Sequence, residues 1–203
     1  MKETSPRAAP KAHAAAPAFG TYNDLLIAVR AENVQKAENF ANMEINKITN
    51  WAKENSFNEQ KSKVMLATRR KRREITEVNI YLNFKPPQHF KSIKYLGITV
   101  DNKLSFREHI ISTTNKCTTL IHTLAKSVKL NWGLKQEVLN TIYKGAILPL
   151  MLYGALVLVR AMEKNCNRTL YSRVQWLMNI KITKVHCTTS NDALCILTGN
   201  APV

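Results

Sequence analysis

The spacing of apolar positions changes twice along this chain, and the changes divide it. Residues 1 to about 19 (MKETSPRAAPKAHAAAPAF) have no period. Ala and Pro dominate there, and so little apolar area does not offset the entropy of ordering, so residues 1–20 are expected to be disordered. From Tyr22 to Val29 the short run DLLIAV has the length and composition of a buried strand. Between Glu32 and Asn55, Val34, Ala37, Ala41, Ile45, Ile48 and Ala52 recur at steps of three and four, which predicts an amphipathic helix of about six turns.

Short strands are predicted next at Val64 to Thr68 and Val78 to Phe84, on either side of the basic run Arg69-Arg70-Lys71-Arg72-Arg73. A third, Ile93 to Val100, follows the Pro86-Pro87 break and carries Gly97 in its middle, where a glycine marks a bulge or a close approach of other groups. Beyond Arg107 the period is helical. One face is formed by Ile110, Cys117, Ile121, Leu124 and Val128, a second by Leu134, Val138, Ile142 and Ile147, and a third by Cys166, Leu170, Val174, Leu177 and Ile180. Strands with one helix followed by a helical bundle imply two subdomains, and no internal repeat is visible.

With 203 residues and 45% hydrophobic composition, the chain has enough apolar material for one domain or two small ones. Charge adds a direction. Residues 1–60 hold seven Lys and Arg against seven Asp and Glu, a net of zero, whereas residues 61–203 hold 23 against seven, a net of +16. A basic block of that kind attracts polyanions and releases their counterions, so nucleic acid or an anionic membrane surface is the expected partner, against a merely soluble basic surface.

Cys117, Cys166, Cys187 and Cys195 include no C-x-x-C pair, which argues against a zinc ribbon and against a disulfide framework. Buried small hydrophobes in a reducing compartment are the expected roles. The Ala/Pro start lacks the apolar stretch of a secretory signal, and GAILPLMLYGALVLV (Gly145 to Val159) is shorter than a bilayer span and cut by Pro149 and Gly154. The chain therefore reads as soluble and intracellular, in nucleus or cytoplasm, with no membrane partner.

Three stretches, in order, resemble the polymerase of non-LTR (LINE-type) retrotransposons, particularly arthropod ones. Tyr22-Asn23-Asp24-Leu25-Leu26 resembles the Tyr-Ala-Asp-Asp-Leu-Leu catalytic turn. Phe57-Asn58-Glu59-Gln60-Lys61-Ser62-Lys63 resembles the Phe-Asn-x-x-Lys-Thr-Lys segment after it, and Lys94-Tyr95-Leu96-Gly97 resembles the primer-grip hairpin. Further on, Trp132-Gly133-Leu134, Tyr143, Ile147-Leu148-Pro149, Leu152-Tyr153-Gly154, Val174-Gln175, Asp192-Ala193-Leu194-Cys195 and Leu197-Thr198-Gly199 are similar to that family's thumb and the stretch beyond it.

The resemblance implies an α+β fold: a partial palm of short antiparallel strands with one helix over residues 21–105, then an all-helical thumb and connection region over 106–203. It also implies RNA-directed DNA polymerase ancestry and a template-primer of RNA or DNA bound through the basic surface. Nucleotide addition needs two divalent cations, Mg2+ or Mn2+, held by carboxylates. Here the box departs from the pattern. Asn23 stands where the first aspartate belongs and only Asp24 remains, so the metal-ligand and catalytic assignment falls on Asp24 alone, with Lys61 as the residue near the triphosphate. If the chain is inactive, no cofactor is expected.

Lys63, Arg69, Arg70, Lys71, Arg72 and Arg73 are candidate phosphate contacts, and Tyr95, Leu96 and Gly97 are candidate primer contacts. The basic run also fits a localisation signal or a solvated loop. Trp51, Trp132 and Trp176 would stack on bases or pack in the core. Three readings stay open: a catalytically defective nucleic-acid binder, an active reverse transcriptase subunit beside an intact polymerase chain or as a fragment of a longer polymerase, and a repurposed helical interaction protein that docks through GAILPLMLYGALVLV.

Overall fold

A computed structural model describes residues 11–15, 26–54, 62–67, 78–82, 86–130 and 135–202. The fold is α+β, with helices and short strands, and it divides into two compact units, Met1–Tyr95 and Leu96–Val203.

In the first unit, β1 (Lys11–Ala15) pairs antiparallel with β2 (Leu26–Arg30), from Lys11 opposite Arg30 to Ala15 opposite Leu26. Lys11–Ala15 lies inside the segment whose composition predicts disorder. The pairing is made by backbone groups, which need no apolar side chains to bond. β2 alternates between exposed and half-buried positions, so it is an amphipathic strand and not the fully buried one expected from DLLIAV.

The helix α1 (Val34–Glu54) follows the predicted face, with Ala41 buried and Val34, Ala37, Ile45 and Ile48 half-buried. Asn33 opens it by accepting from the Lys36 amide at 2.8 Å, as an N-cap does.

Two of the predicted strands are altered. Of Val64 to Thr68, residues 64–67 are described, and the strand there is β3 (Lys63–Val64), which pairs parallel with β4 (Gln88–His89); the Phe90 amide donates to the Val64 carbonyl at 3.0 Å. Of Val78 to Phe84, residues 78–82 are described, and they form no strand. Their backbone groups bond instead to side chains of α1. Asn42 accepts from the Tyr81 amide and donates to the Asn79 carbonyl, both at 3.0 Å, and Glu38 accepts from the Asn79 amide at 2.9 Å. Backbone groups need partners, and here side chains supply them in place of a neighbouring strand.

The predicted strand from Ile93 to Val100 is a hairpin. β5 (Ser92–Tyr95) and β6 (Ile98–Asp101) form a two-stranded sheet, with Leu96-Gly97 as the turn. Gly97 is thus a turn residue and not a bulge inside one strand.

The second unit continues into α2 (Arg107–Leu130), α3 (Gln136–Ile142), a π turn (Tyr143–Ile147), α4 (Leu148–Leu152), α5 (Ala155–Met162), α6 (Asn165–Thr183) and α7 (Asn191–Thr198). The π turn has a sequence cause. Pro149 has no N–H for the carbonyl four residues back, and its ring would crowd that carbonyl. The helix shifts register just before it, so that the Leu148 amide donates to the Tyr143 carbonyl five residues away.

The core of this unit joins Ile110, Cys117 and Ile121 of α2 to Leu139, Tyr143, Ile147 and Met151, and to Tyr171, Val174, Met178 and Ile182 of α6. Each such side chain contributes roughly 1.5–3 kcal/mol by leaving water. α2 keeps Ile110, Cys117 and Ile121 of its predicted face; the next two keep Ile147 and Val174 in the core but shift at other positions. Leu139 is buried where Val138 was expected, and Val138 is exposed. On α6, Asn167, Tyr171, Gln175 and Asn179 are buried where Cys166 and Leu170 were expected, and Cys166 is exposed.

All four cysteines are free. Cys117 and Cys195 are buried as expected, whereas Cys166 and Cys187 are exposed and so do not serve as buried hydrophobes. The GAILPLMLYGALVLV run is split by its own geometry: Ile147, Met151 and Leu158 are buried, while Leu156 is 95% exposed and Val157 and Val159 lie outside with it. Among the described residues, no single helix is long and apolar enough to cross a membrane.

Candidate nucleic-acid interface

The turn of the hairpin is held by the helical unit. Leu96 and Gly97 have φ of 44° and 82°, so both central residues are left-handed, the requirement of a two-residue type I′ turn. Glycine adopts this freely, but leucine does so at a cost of about 1–2 kcal/mol. Tyr153 offsets that cost. Its hydroxyl donates to the Leu96 carbonyl at 2.7 Å, and its ring occupies the space a Gly97 side chain would need, since a Cβ there would lie 3.0 Å from Tyr153 Cε1 and Oη.

The next residue along repeats the pattern from the opposite side. Gly154, at φ 72°, starts α5 and lies against Ile98, so closely that a Cβ would stand 2.5 Å from Ile98 Cδ1. Tyr153 and Gly154 form the 74° bend between the helical stretch ending at Leu152 and α5. Tyr153-Gly154 and Leu96-Gly97-Ile98 therefore interlock, each glycine making room for the other segment's side chain.

β6 ends in a carboxylate that builds the entry to α2. Asp101 Oδ1 accepts from the amides of Ser105 at 2.8 Å and Phe106 at 2.7 Å, and Oδ2 accepts from the Ser105 hydroxyl at 2.8 Å. Burial disfavours its charged form, but the Ser105 hydroxyl and the Phe106 and Ser105 amides outweigh this and hold the Asp101 pKa below the usual carboxylate value. These bonds stabilise a loop in which Leu104 and Phe106 are also left-handed.

A buried polar network closes the far end. Gln175, fully buried, donates to the Tyr143 hydroxyl at 3.2 Å and the Ala201 carbonyl at 2.6 Å, and accepts from Asn191 at 3.3 Å. Asn179 Oδ1 accepts from Asn200 at 3.2 Å and from the Thr198 hydroxyl at 3.5 Å. Burial raises the Tyr143 and Cys195 pKa values, which keeps both neutral at ordinary pH.

Around this frame the charge points outward. Residues 96–203 hold 13 Lys and Arg against five Asp and Glu, a net of +8. Every one of those bases whose burial is described is exposed. Among the described residues, the ion pairs are Lys36 with Glu32 and Lys47 with Glu44, both within or beside α1, and none engages a base of the second unit. Unpaired exposed cations lose little on meeting a polyanion, because no internal pair has to be broken first.

The residues singled out from the sequence fall unevenly. Asn23, Asp24, Lys61 and the run Arg69 to Arg73 lie outside the described residues, as does Trp132. Lys63 is on β3, exposed, with its ammonium 5.0 Å from the centre of the Phe90 ring. Tyr95 ends β5 half-buried, and Leu96 and Gly97 form the exposed turn. Trp176 donates its indole N–H to the Thr189 carbonyl at 2.9 Å and so ties down the loop before α7, as the packing alternative expects.

Among the described residues, no group of three or more His, Cys, Asp or Glu is placed to hold a metal. The donor set at the catalytic-turn match, one carboxylate and one neutral amide, fits poorly to a pair of divalent ions, and no catalytic step is derived through them. Sequence reasoning gave no role to Tyr153, Gly154 or Asp101. The signal for the first two was present in Leu152-Tyr153-Gly154, which shares its Tyr and Gly with the turn motif that it docks.

The chain is similar in sequence to known proteins, at 22–32% identity. Its homologues are the Pol polyproteins and RNA-directed DNA polymerases of R1 and jockey non-LTR retrotransposons.

A 115 kDa protein of the type-1 retrotransposable element R1DM of Drosophila melanogaster is 31% identical over 57% of this chain and 11% of its own length. The Pol polyprotein of element R1 of Bradysia coprophila is 29% identical over 61% of this chain and 12% of its own length. A third, from element R1 2 of Nasonia vitripennis, is 22% identical but extends over 89% of this chain and 45% of its own length. The chain thus spans about a tenth of the first two relatives. No family model matches it, and no solved structure does.

Proposed function

We propose that this chain corresponds to the end of the palm and the thumb and connection region of a non-LTR retrotransposon reverse transcriptase, and that it binds RNA or DNA template-primer without extending it by itself. The observation that carries the binding is the net +8 of residues 96–203, whose described basic side chains are exposed and, among the described residues, free of ion pairs. What supports the catalytic defect is Asn23 beside Asp24: an amide oxygen brings no charge to draw a divalent ion from water.

Contact with about five phosphates gives a slope of log affinity on log salt near −4. Filter binding of the full chain to a short template-primer, from low to moderate salt, should show a slope of about that size with little dependence on sequence. A flat series, or no binding, refutes the proposal. Primer extension on an RNA template with Mg2+ or Mn2+ should give no product. Product that disappears in Asp24→Ala establishes the active-polymerase reading in its place.

The exposed Leu156, Val157 and Val159 on α5 favour a second role, contact with another protein chain such as an intact polymerase. Co-sedimentation with such a chain, lost in Leu156→Glu, would establish it.

A further inference from the structure

The first unit carries a small basic surface beside an exposed aromatic ring. β3 and β4 pair with Lys63 opposite Gln88 and Val64 opposite His89, and the Phe90 amide donates to the Val64 carbonyl at 3.0 Å. Side chains alternate along a strand, so this register puts Lys63, Gln88 and Phe90 on one face and Val64 and His89 on the other. The Lys63 ammonium accordingly lies 5.0 Å from the centre of the Phe90 ring. Phe90 is 36% exposed all the same, and Lys63 and Gln88 are exposed beside it. Lys91 and Lys94 follow along the chain, both exposed, and residues 62–67 and 86–95 contain no Asp or Glu. Among the described residues, no ion pair engages Lys63, Lys91 or Lys94.

We infer that Phe90, with Lys63 on its ring, is a stacking platform for an unpaired nucleobase, so that the first unit binds single-stranded RNA or DNA through base as well as phosphate. The inference rests on the proposed nucleic-acid binding and adds to it a site in the first unit with a different chemistry. An ammonium attracts phosphates whatever they carry, whereas every base has a flat face that an open ring can meet without regard to sequence. Lys63 serves both contacts: its charge is held by the negative face of the ring and remains exposed to a phosphate. A duplex keeps its bases paired and stacked on one another, so it offers this site charge alone. A ring that served core packing would share its face with apolar side chains, but here the face is shared with Lys63 and Gln88, one charged and one polar.

The test compares the full chain with Phe90→Leu, Phe90→Trp and Lys63→Gln on a short single-stranded oligonucleotide, as RNA and as DNA, and on an abasic DNA strand with the same number of phosphates. Wild type should bind the intact strands more tightly than the abasic one. Phe90→Leu should lose about fivefold or more on the intact strands, the weight of one stacked base, and nothing on the abasic strand. Phe90→Trp should keep the wild-type affinity, since a larger ring stacks as well. Lys63→Gln should reduce the slope of log affinity on log salt by about 0.7 on every strand. A loss in Phe90→Leu confined to RNA or to DNA supports the platform and identifies the strand that fits it.

Wild-type affinity in Phe90→Leu overturns the inference. So does an equal loss on the abasic strand, or a Phe90→Trp protein as weak as Phe90→Leu, either of which marks a merely structural ring. A chain that binds template-primer but no single strand, or binds intact and abasic strands equally, overturns the inference and leaves the proposed binding intact. One that binds none of them removes both.

Discussion

Replacing Gly154 by alanine makes two demands on the chain at once, and their sizes can be separated. At φ 72° a residue with a Cβ sits in the left-handed region at a cost of about 1–2 kcal/mol. The new Cβ would also stand 2.5 Å from Ile98 Cδ1 and 3.2 Å from Cγ1, so Ile98 must leave its rotamer or shift. Overpacking of this kind costs about 1–3 kcal/mol, toward the lower end here because Cδ1 is the far end of a flexible side chain. Together the two give about 2–4 kcal/mol.

For a unit the size of Leu96–Val203, that lowers Tm by roughly 8–16 °C. Ile98→Val removes Cδ1 and on its own costs at most about 0.5–1.5 kcal/mol, since Ile98 is only half-buried. In the double variant the 2.5 Å clash disappears, the 3.2 Å approach to Cγ1 remains, and the left-handed cost stays. Gly154→Ala with Ile98→Val should therefore be more stable than the sum of the single effects by about 1 kcal/mol. Urea denaturation of the four proteins, followed by circular dichroism at 222 nm, measures the cycle. A Gly154→Ala protein as stable as wild type refutes the account of the bend, and strict additivity refutes the contact with Ile98.

Three further outcomes follow from the same geometry. Asp101→Asn should destabilise by about 1–2 kcal/mol at neutral pH, as loss of a helix-entry cap does. Because the folded pKa of Asp101 is lowered, its contribution is complete above the ordinary carboxylate range and is lost as pH falls through the lower folded value. The gap between the two proteins should therefore narrow as pH falls below the ordinary carboxylate range, and a gap that stays constant there sinks the assignment.

Tyr171 is buried with no hydrogen-bond partner on its hydroxyl among the described residues, and its pKa is pushed up to about 12 by burial and by the neighbouring Cys117. Tyr171→Phe should thus leave stability unchanged or raise it by about 1 kcal/mol, and a marked loss in a melting curve would reveal an unseen partner. Gln175→Leu keeps the volume but strands the Tyr143 hydroxyl and the Ala201 carbonyl, so it should cost about 2–3 kcal/mol and loosen residues 199–202 to proteolysis. Unchanged cleavage would count against the network.

How far the sequence discloses this fold depends on what each helix buries. α2 buries Ile110, Cys117 and Ile121, and a hydrophobic period finds it directly. α6 buries Asn167, Gln175 and Asn179 as well as Tyr171, Val174, Met178 and Ile182, so a period counted on apolar residues alone finds Val174 and the flanking Leu170 and Leu177 but not the centre of the buried stripe. The face through Val138 fails for a related reason. Pro149 forces the π turn, and the register shift places Leu139, Tyr143, Ile147 and Met151 on the core side at steps of four.

The strand expected at Val78 to Phe84 has strand-like composition, yet the backbone groups of Asn79 and Tyr81 pair with Asn42 and Glu38, and no local pattern announces side chains some 40 positions away. At Ile93 to Val100 the spacing gives one strand, and the hairpin is expected only from the family resemblance of Lys94-Tyr95-Leu96-Gly97. Tyr95-Leu96-Gly97 states a left-handed glycine in its own composition.

The motifs that carry the family likeness in residues 96–203 can be sorted by what they touch. Leu96-Gly97 and Tyr153-Gly154 touch each other. Gln175 touches Tyr143 and the segment after α7, and Thr198-Gly199 closes α7 through the Thr198 hydroxyl on the Leu194 carbonyl and the left-handed Gly199. Each is accounted for by a contact that builds this unit, so each would be needed by any chain with this fold, whether or not it copies RNA. Likeness in this half therefore speaks for architecture and the surface built on it, and the case for chemistry rests on Asn23, Asp24 and Lys61 alone. A chain can lose the second and keep the first. Restoring Asn23→Asp should accordingly leave salt-dependent binding where it is, and any change would be seen in primer extension only.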